Sequence, residues 1–132
     1  MPITYGWYDE AKHIWMIEFR GHWTLDDFWR MVDACYQAID SVAPHAFYYV
    51  TVMHGSMYLP KGAFSAIQSA SSQTRPNERM HVLVGGGMIV KSFFRMRNFF
   101  MPKERLELAD TLEEALAMIE QVIAQDQMQQ AS

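Results

Sequence analysis

Polarity changes its period several times along this chain, and the changes mark out its elements. Ile3 to Tyr8 and His13 to Phe19 alternate in polarity, with the turn-prone Asp9-Glu10-Ala11-Lys12 between them. Period-two alternation around a short polar break predicts an antiparallel β-hairpin. Leu25, Phe28, Trp29, Val32, Cys35, Tyr36 and Ile39 then recur in steps of three and four, which puts their side chains on one face of a helix. Thr24 and Asp27 make a capping-box pattern at its start, with Asp in place of Glu or Gln, and Pro44 stops it. Phe47 to Met53 is aromatic, β-branched and apolar on both faces, as a central strand covered on both sides should be.

A second helix is expected from about Gly62, with Ala63, Ala66, Ile67 and Ala70 on one face and small residues that allow close approach to a sheet. Arg75-Pro76-Asn77-Glu78 breaks the chain, and Met80 to Val84 reads as a short apolar strand. Gly85-Gly86-Gly87 leads into a third helix, whose apolar face is assigned to Ile89, Val90, Phe93, Met96 and Phe100, with Pro102 at its end. Arg105 to Ala109 alternates again. Thr111-Leu112-Glu113-Glu114 is a capping-box signature for a last helix with Leu112, Ala115, Leu116, Ile119, Val122 and Ile123 as its buried stripe. The predicted fold class is α/β: order β-β-α-β-α-β-α-β-α, a mixed, mostly parallel sheet with an N-terminal antiparallel hairpin and about four helices. Residues 1–125 are read as one domain, and 126–132 as a polar, frayed tail.

Half of the 132 residues are hydrophobic and a fifth charged, so the chain can build a real core. A formal net charge of −4 repels phosphates, and nucleic acid is excluded as the expected partner. The single cysteine, Cys35, cannot form an intramolecular disulfide and sits in an apolar helical stripe, which reads as a small buried hydrophobe. Nothing resembles a signal peptide or a bilayer-spanning segment, so a cytoplasmic protein is expected. Four Trp, six Tyr, eight Phe and 11 Met are a large stock of side chains that favour partner surfaces and adaptable sites. Trp7, Trp15, Trp23 and Trp29 are read as core, Trp23 as partly exposed.

The element order, at these lengths, resembles the STAS domain (sulfate transporter and anti-sigma factor antagonist), and more closely its SpoIIAA-like bacterial relatives. Three pieces carry the likeness: Gly21-His22-Trp23-Thr24 into the first helix, Leu59-Pro60-Lys61-Gly62-Ala63 into the second, and Asp110-Thr111-Leu112-Glu113-Glu114-Ala115-Leu116 into the last. The resemblance implies a regulatory fold that acts through protein contacts. In phosphorylatable members an Asp-Ser-Ser-Gly-like turn presents a serine at the start of the second helix. Aligned on Gly62, this chain has Leu59, Pro60 and Lys61 there, and the acceptor serine is absent. Ser56 and Ser65 are nearby hydroxyls that do not match the motif.

Candidate chemistry is sparse. The loop leaving the carboxyl end of the central strand is the usual functional position in an open α/β sheet, and here it is expected to hold His54, Ser56, Met57, Tyr58 and Lys61. An imidazole beside Ser56 could act as a base, but no acid is identifiable to orient it, and a turn bonding its own backbone is the stronger reading. Gly85-Gly86-Gly87 has neither P-loop nor dinucleotide spacing and reads as a tight, closely packed turn. Lys91, Arg95, Arg97 and Lys103 interleave with Phe93, Phe94, Phe99, Phe100 and Met101. Phe94 and Phe99 lie off the assigned apolar face, which leaves excess apolar surface for a partner or, less well, an anionic membrane surface. The histidines at 13, 22, 45, 54 and 81 show no ligand spacing, so neither a metal nor a cofactor is expected.

The expected function is therefore a non-enzymatic regulatory or interaction module, a homodimer or the partner of a regulatory protein. Its contacts would be made by Met57, Tyr58, Lys61 and Phe64 around the second helix and by Phe94, Arg97 and Phe99 on the third. The alternative is a binding module for a small apolar or lipid-like ligand. An enzyme using His54 is the third reading.

Overall fold

The apolar run at Phe47 does become the middle of a sheet. The computed structural model describes residues 2–100 and 106–131. Its elements are β1 (Ile3–Asp9), β2 (Ile14–His22), α1 (Leu25–Val42), β3 (Phe47–Tyr58), α2 (Ala63–Ser71), β4 (Glu78–Gly85), α3 (Gly87–Phe100), β5 (Glu107–Ala109) and α4 (Leu112–Ala131). The five strands follow spatial order β1-β2-β3-β4-β5, with β1 antiparallel to β2 and the others parallel. This is the α/β arrangement expected from the polarity pattern. Among the described residues no helix is long and apolar enough to cross a membrane.

Alternation along β3 divides the core in two. Phe47 and Met53 face one side, where α1, α2 and α3 supply Phe28, Met31, Val32, Ala63, Ala66, Val90 and Phe94. Tyr48, Val50 and Val52 face the other, where α4 supplies Ala115 and Ile119. Each strand residue therefore points to a fixed layer, because side-chain direction repeats every second residue. Phe47 is fully buried, with its ring 5.7 Å from that of Trp7 and 5.6 Å from that of Tyr49.

Both helix-start signals act as read. The Thr24 hydroxyl accepts from Asp27 N (3.1 Å), and the Asp27 carboxylate accepts from Thr24 N (3.0 Å). At α4 the Thr111 hydroxyl accepts from Glu114 N, while the Glu114 carboxylate reaches Asp110 N, one residue further back than a standard box. The triple glycine is the tight turn expected: all three have positive φ, and a Cβ on Gly85 would lie 2.4 Å from the Met53 carbonyl oxygen. Only a residue without a Cβ lets β3 and β4 close there.

Four expectations are corrected. β3 runs on to Tyr58, so His54 to Tyr58 are strand and not loop, with Gly55 at positive φ accommodating a bulge against β2. The buried face of α3 is Val90, Phe94 and Arg97, whereas Met96 is 63 % exposed. The side chains of Ile89 and Phe100, and Met101, Pro102, Lys103 and Arg105, lie outside the described residues. Trp23 is buried and Trp29 exposed, the reverse of the expected pair. The stretch after Gln125 is helix to Ala131, and there Asp126 accepts from both Arg79 and the Tyr48 hydroxyl.

Candidate functional site

Strand pairing puts polar side chains into an otherwise apolar interior. Tyr49 and His81 are partners in the β3–β4 register, and Thr51 follows Tyr49 on the same face, towards α1 and α3. Their rings stack with centroids 3.8 Å apart. Thr51 Oγ1 and His81 Nε2 share a hydrogen bond of 2.7 Å, and the Tyr49 hydroxyl donates to Glu78 Oε1 at 2.8 Å. Burial, reinforced by the positive charge of Arg97, pushes the His81 imidazole down to about 3, so it is neutral at physiological pH. Burial also drives the Tyr49 phenol well above its ordinary value, with the Glu78 carboxylate adding to the shift.

Tyr49, Glu78 and His81 line two adjoining chambers, and Thr51 lines the first of them. The inner one, about 120 Å³, lies between the sheet and α1 and is walled by Ile17, Phe19, Trp23, Phe28, Met31 and Val32, among others. The outer one, about 180 Å³, is polar, with Arg75, Glu78, Arg79 and Arg97 in its walls and the exposed Thr74 and Arg79 at its rim. Tyr49, Ala70, Ser71, Glu78, His81 and Leu106 belong to both. From Tyr49 to Met53 the inner wall follows β3 for about 13 Å, four residues at roughly 3.3 Å each. The slot is thus apolar at one end and charged at the other.

Its apolar end is unusual in two ways. Interiors pack with few voids larger than a water molecule, and here an apolar recess of about 120 Å³ lies between the sheet and α1. Trp23 also lines this chamber at 4 % exposure, and its indole N–H has no hydrogen-bond partner. Buried donors are normally satisfied, because an unmade bond costs about 1–3 kcal/mol. Cys35 lines the same wall, and burial pushes its thiol up to about 12, so it serves as an inert hydrophobe there, as read from the sequence.

The expected site residues fall in three places. Phe94 and Arg97 are buried (4 % and 7 % exposed) and face inward, contrary to their expected surface role; Phe94 lines the inner chamber and Arg97 the outer. His54, exposed on the α4 side of the sheet, bonds through Nε2 to Glu18 Oε1 at 3.1 Å. An acid beside His54 is therefore present after all: Glu18 comes from the neighbouring strand, and it also receives Arg20 at 3.3 Å and the Thr4 hydroxyl. Tyr58 is exposed and stacks on His22 at 4.0 Å instead of joining His54. Lys61 is exposed, Phe64 is partly so with its ring 4.3 Å from Phe93, and Phe99 is 80 % exposed. The side chains of Ser56 and Met57 lie outside the described residues. Sequence reasoning missed Tyr49, Thr51, Glu78 and His81. The signal it could have used was a threonine inside an apolar β run and a histidine directly before Val82-Leu83-Val84.

Comparison with protein-family models, with curated proteins and with solved structures gave no match. Among the described residues, no group of three or more His, Cys, Asp or Glu could hold a metal ion.

Proposed function

We propose that this chain is a binding module for a small, mainly apolar molecule held between the sheet and α1. The observation that carries the reading is the slot itself: an apolar chamber between the sheet and α1 that shares Tyr49, Glu78 and His81 with a polar one beside it. Ligand sites have this character, an apolar enclosure with a few convergent polar groups, and their usual range is about 300–1,000 Å³. The two chambers together suit a ligand at the small end of that range. Trp23, with its unpaired indole N–H, supplies a built-in reporter.

Titration with 1-octanol, followed by tryptophan fluorescence and thermal midpoint, tests this. A saturable fluorescence change with a rising midpoint is expected, since a ligand at about 100 times its Kd adds roughly 2.7 kcal/mol to stability. A flat fluorescence response and an unmoved midpoint would remove the reading.

A second reading, contact with a regulatory protein or a second copy as in STAS-like modules, is favoured by α3. Met88, Met96 and Phe99 are 84 %, 63 % and 80 % exposed along that helix. Surface of this kind often covers an interface. Light scattering at micromolar concentrations is expected to give twice the chain mass of 15.4 kDa if the partner is a second copy, and a strict monomer excludes that form.

A further inference from the structure

Resting on the ligand-binding reading, we infer that the ligand is an uncharged alcohol, with its apolar body in the inner chamber and its hydroxyl at the wall shared by the two chambers, against His81 Nδ1. Charge in the outer walls is already matched by protein groups. Arg75 pairs with Asp40 at 3.2 Å, and Arg79 meets both oxygens of Asp126, at 3.0 and 3.2 Å. The two Glu78 oxygens are taken by the Tyr49 hydroxyl and the Arg75 backbone N–H, and Arg97 is buried on α3 with an interaction of its own. An ionic head would therefore have to displace an existing partner or lose its hydration without compensation, which is costly inside a protein.

What the shared wall leaves open is neutral hydrogen-bonding capacity. Tyr36 and Tyr49 spend their hydroxyl protons on the Ala70 carbonyl and on Glu78. His81 bonds to Thr51 Oγ1 through Nε2 alone, and among the described residues its Nδ1 has no hydrogen-bond partner. The Ser71 hydroxyl, which lines the same wall, has none either. Because the imidazole is neutral, one of its nitrogens donates and the other accepts. Whichever role Nε2 takes towards Thr51, Nδ1 takes the opposite one. A hydroxyl meets either, since it both donates and accepts, whereas a ketone would require an N–H at that position. Ile17, Phe19, Met31 and Leu83 give the inner chamber the apolar walls that the rest of such a molecule needs.

Calorimetric titration of the full chain with 1-octanol, octanoate and octylamine at pH 7 separates the alternatives. Octanol is expected to bind about tenfold more tightly than either ion, or better. Octanoate should enter only in its protonated, neutral form, so its affinity should rise about tenfold between pH 7 and pH 6. Octanol affinity should stay level over the same interval, because His81 is neutral throughout. In nitrogen-15 spectra the His81 Nδ1 resonance is expected to move as octanol saturates the chain. Octanoate or octylamine binding as tightly as octanol at pH 7, or a His81 Nδ1 resonance that stays in place while octanol is bound, overturns the uncharged alcohol and leaves the apolar chamber standing. Failure of all three to bind overturns both readings.

Discussion

Lowering the pH from 7 to 4 is expected to destabilise this protein by about 3 kcal/mol through His81 alone, at 1.36 kcal/mol per pH unit below its unfolded value near 6.5. In the folded chain the imidazole is held neutral down to about 3 by burial and by the charge of Arg97. The unfolded chain takes up the proton first, near 6.5, so stability is fully present above that value and is lost as pH falls towards 3. The Thr51 hydroxyl and the stacked Tyr49 ring are neutral and offer the imidazolium no counter-charge. Denaturant unfolding at a series of pH values measures the slope. His81→Gln, which can still bond to Thr51 and does not titrate, should flatten the profile across this window. An equally steep profile in that variant would assign the acid sensitivity elsewhere.

Ala70→Leu should weaken ligand binding by about 50-fold while leaving the fold intact. Ala70 lies on α2 at the junction of the two chambers, and its carbonyl is already anchored by the Tyr36 hydroxyl at 2.9 Å. Leucine is a good helix former, so α2 should tolerate it. Its three added carbons would displace roughly three methylenes of ligand, each worth about 0.8 kcal/mol of burial, and the sum corresponds to about a 50-fold loss. The same carbons would bury apolar area against the chamber walls, and substitutions of this kind commonly add about 0.5–2 kcal/mol to stability. Weaker binding with a raised thermal midpoint separates an occupied site from a packing defect. Unchanged affinity would mean that the ligand sits elsewhere.

The elements that could be read from the sequence are those fixed by neighbours along the chain. Thr24 with Asp27, the hairpin around Asp9 to Lys12 and the triple glycine each act within a few residues, and each appears where local chemistry places it. α3 was misread because its buried face includes a charge: Val90, Phe94 and Arg97 keep helical spacing, but an arginine looks like a surface residue until a polar chamber is found for its guanidinium. β3 was cut short because Gly55 suggested a turn, whereas pairing with β2 carries the strand past it to Tyr58. The site was hidden for a related reason. It exists only because the β3–β4 register sets Tyr49 beside His81 and because α1, α2 and α3 leave a gap above them, and contacts so distant in sequence leave no local pattern. Glu18 and His54 meet in the same non-local way, across the β2–β3 pair.

Heteronuclear NMR of the labelled chain, titrated with 1-octanol, tests the central claim most directly. The slot should report the ligand through the Trp23 indole N–H and the side chains of Ile17, Met31, Val32 and Leu83, which line the inner chamber, while exposed Met88, Met96 and Phe99 on α3 stay unchanged. Shifts confined to α3, or a silent Trp23 resonance at saturating ligand, would contradict it.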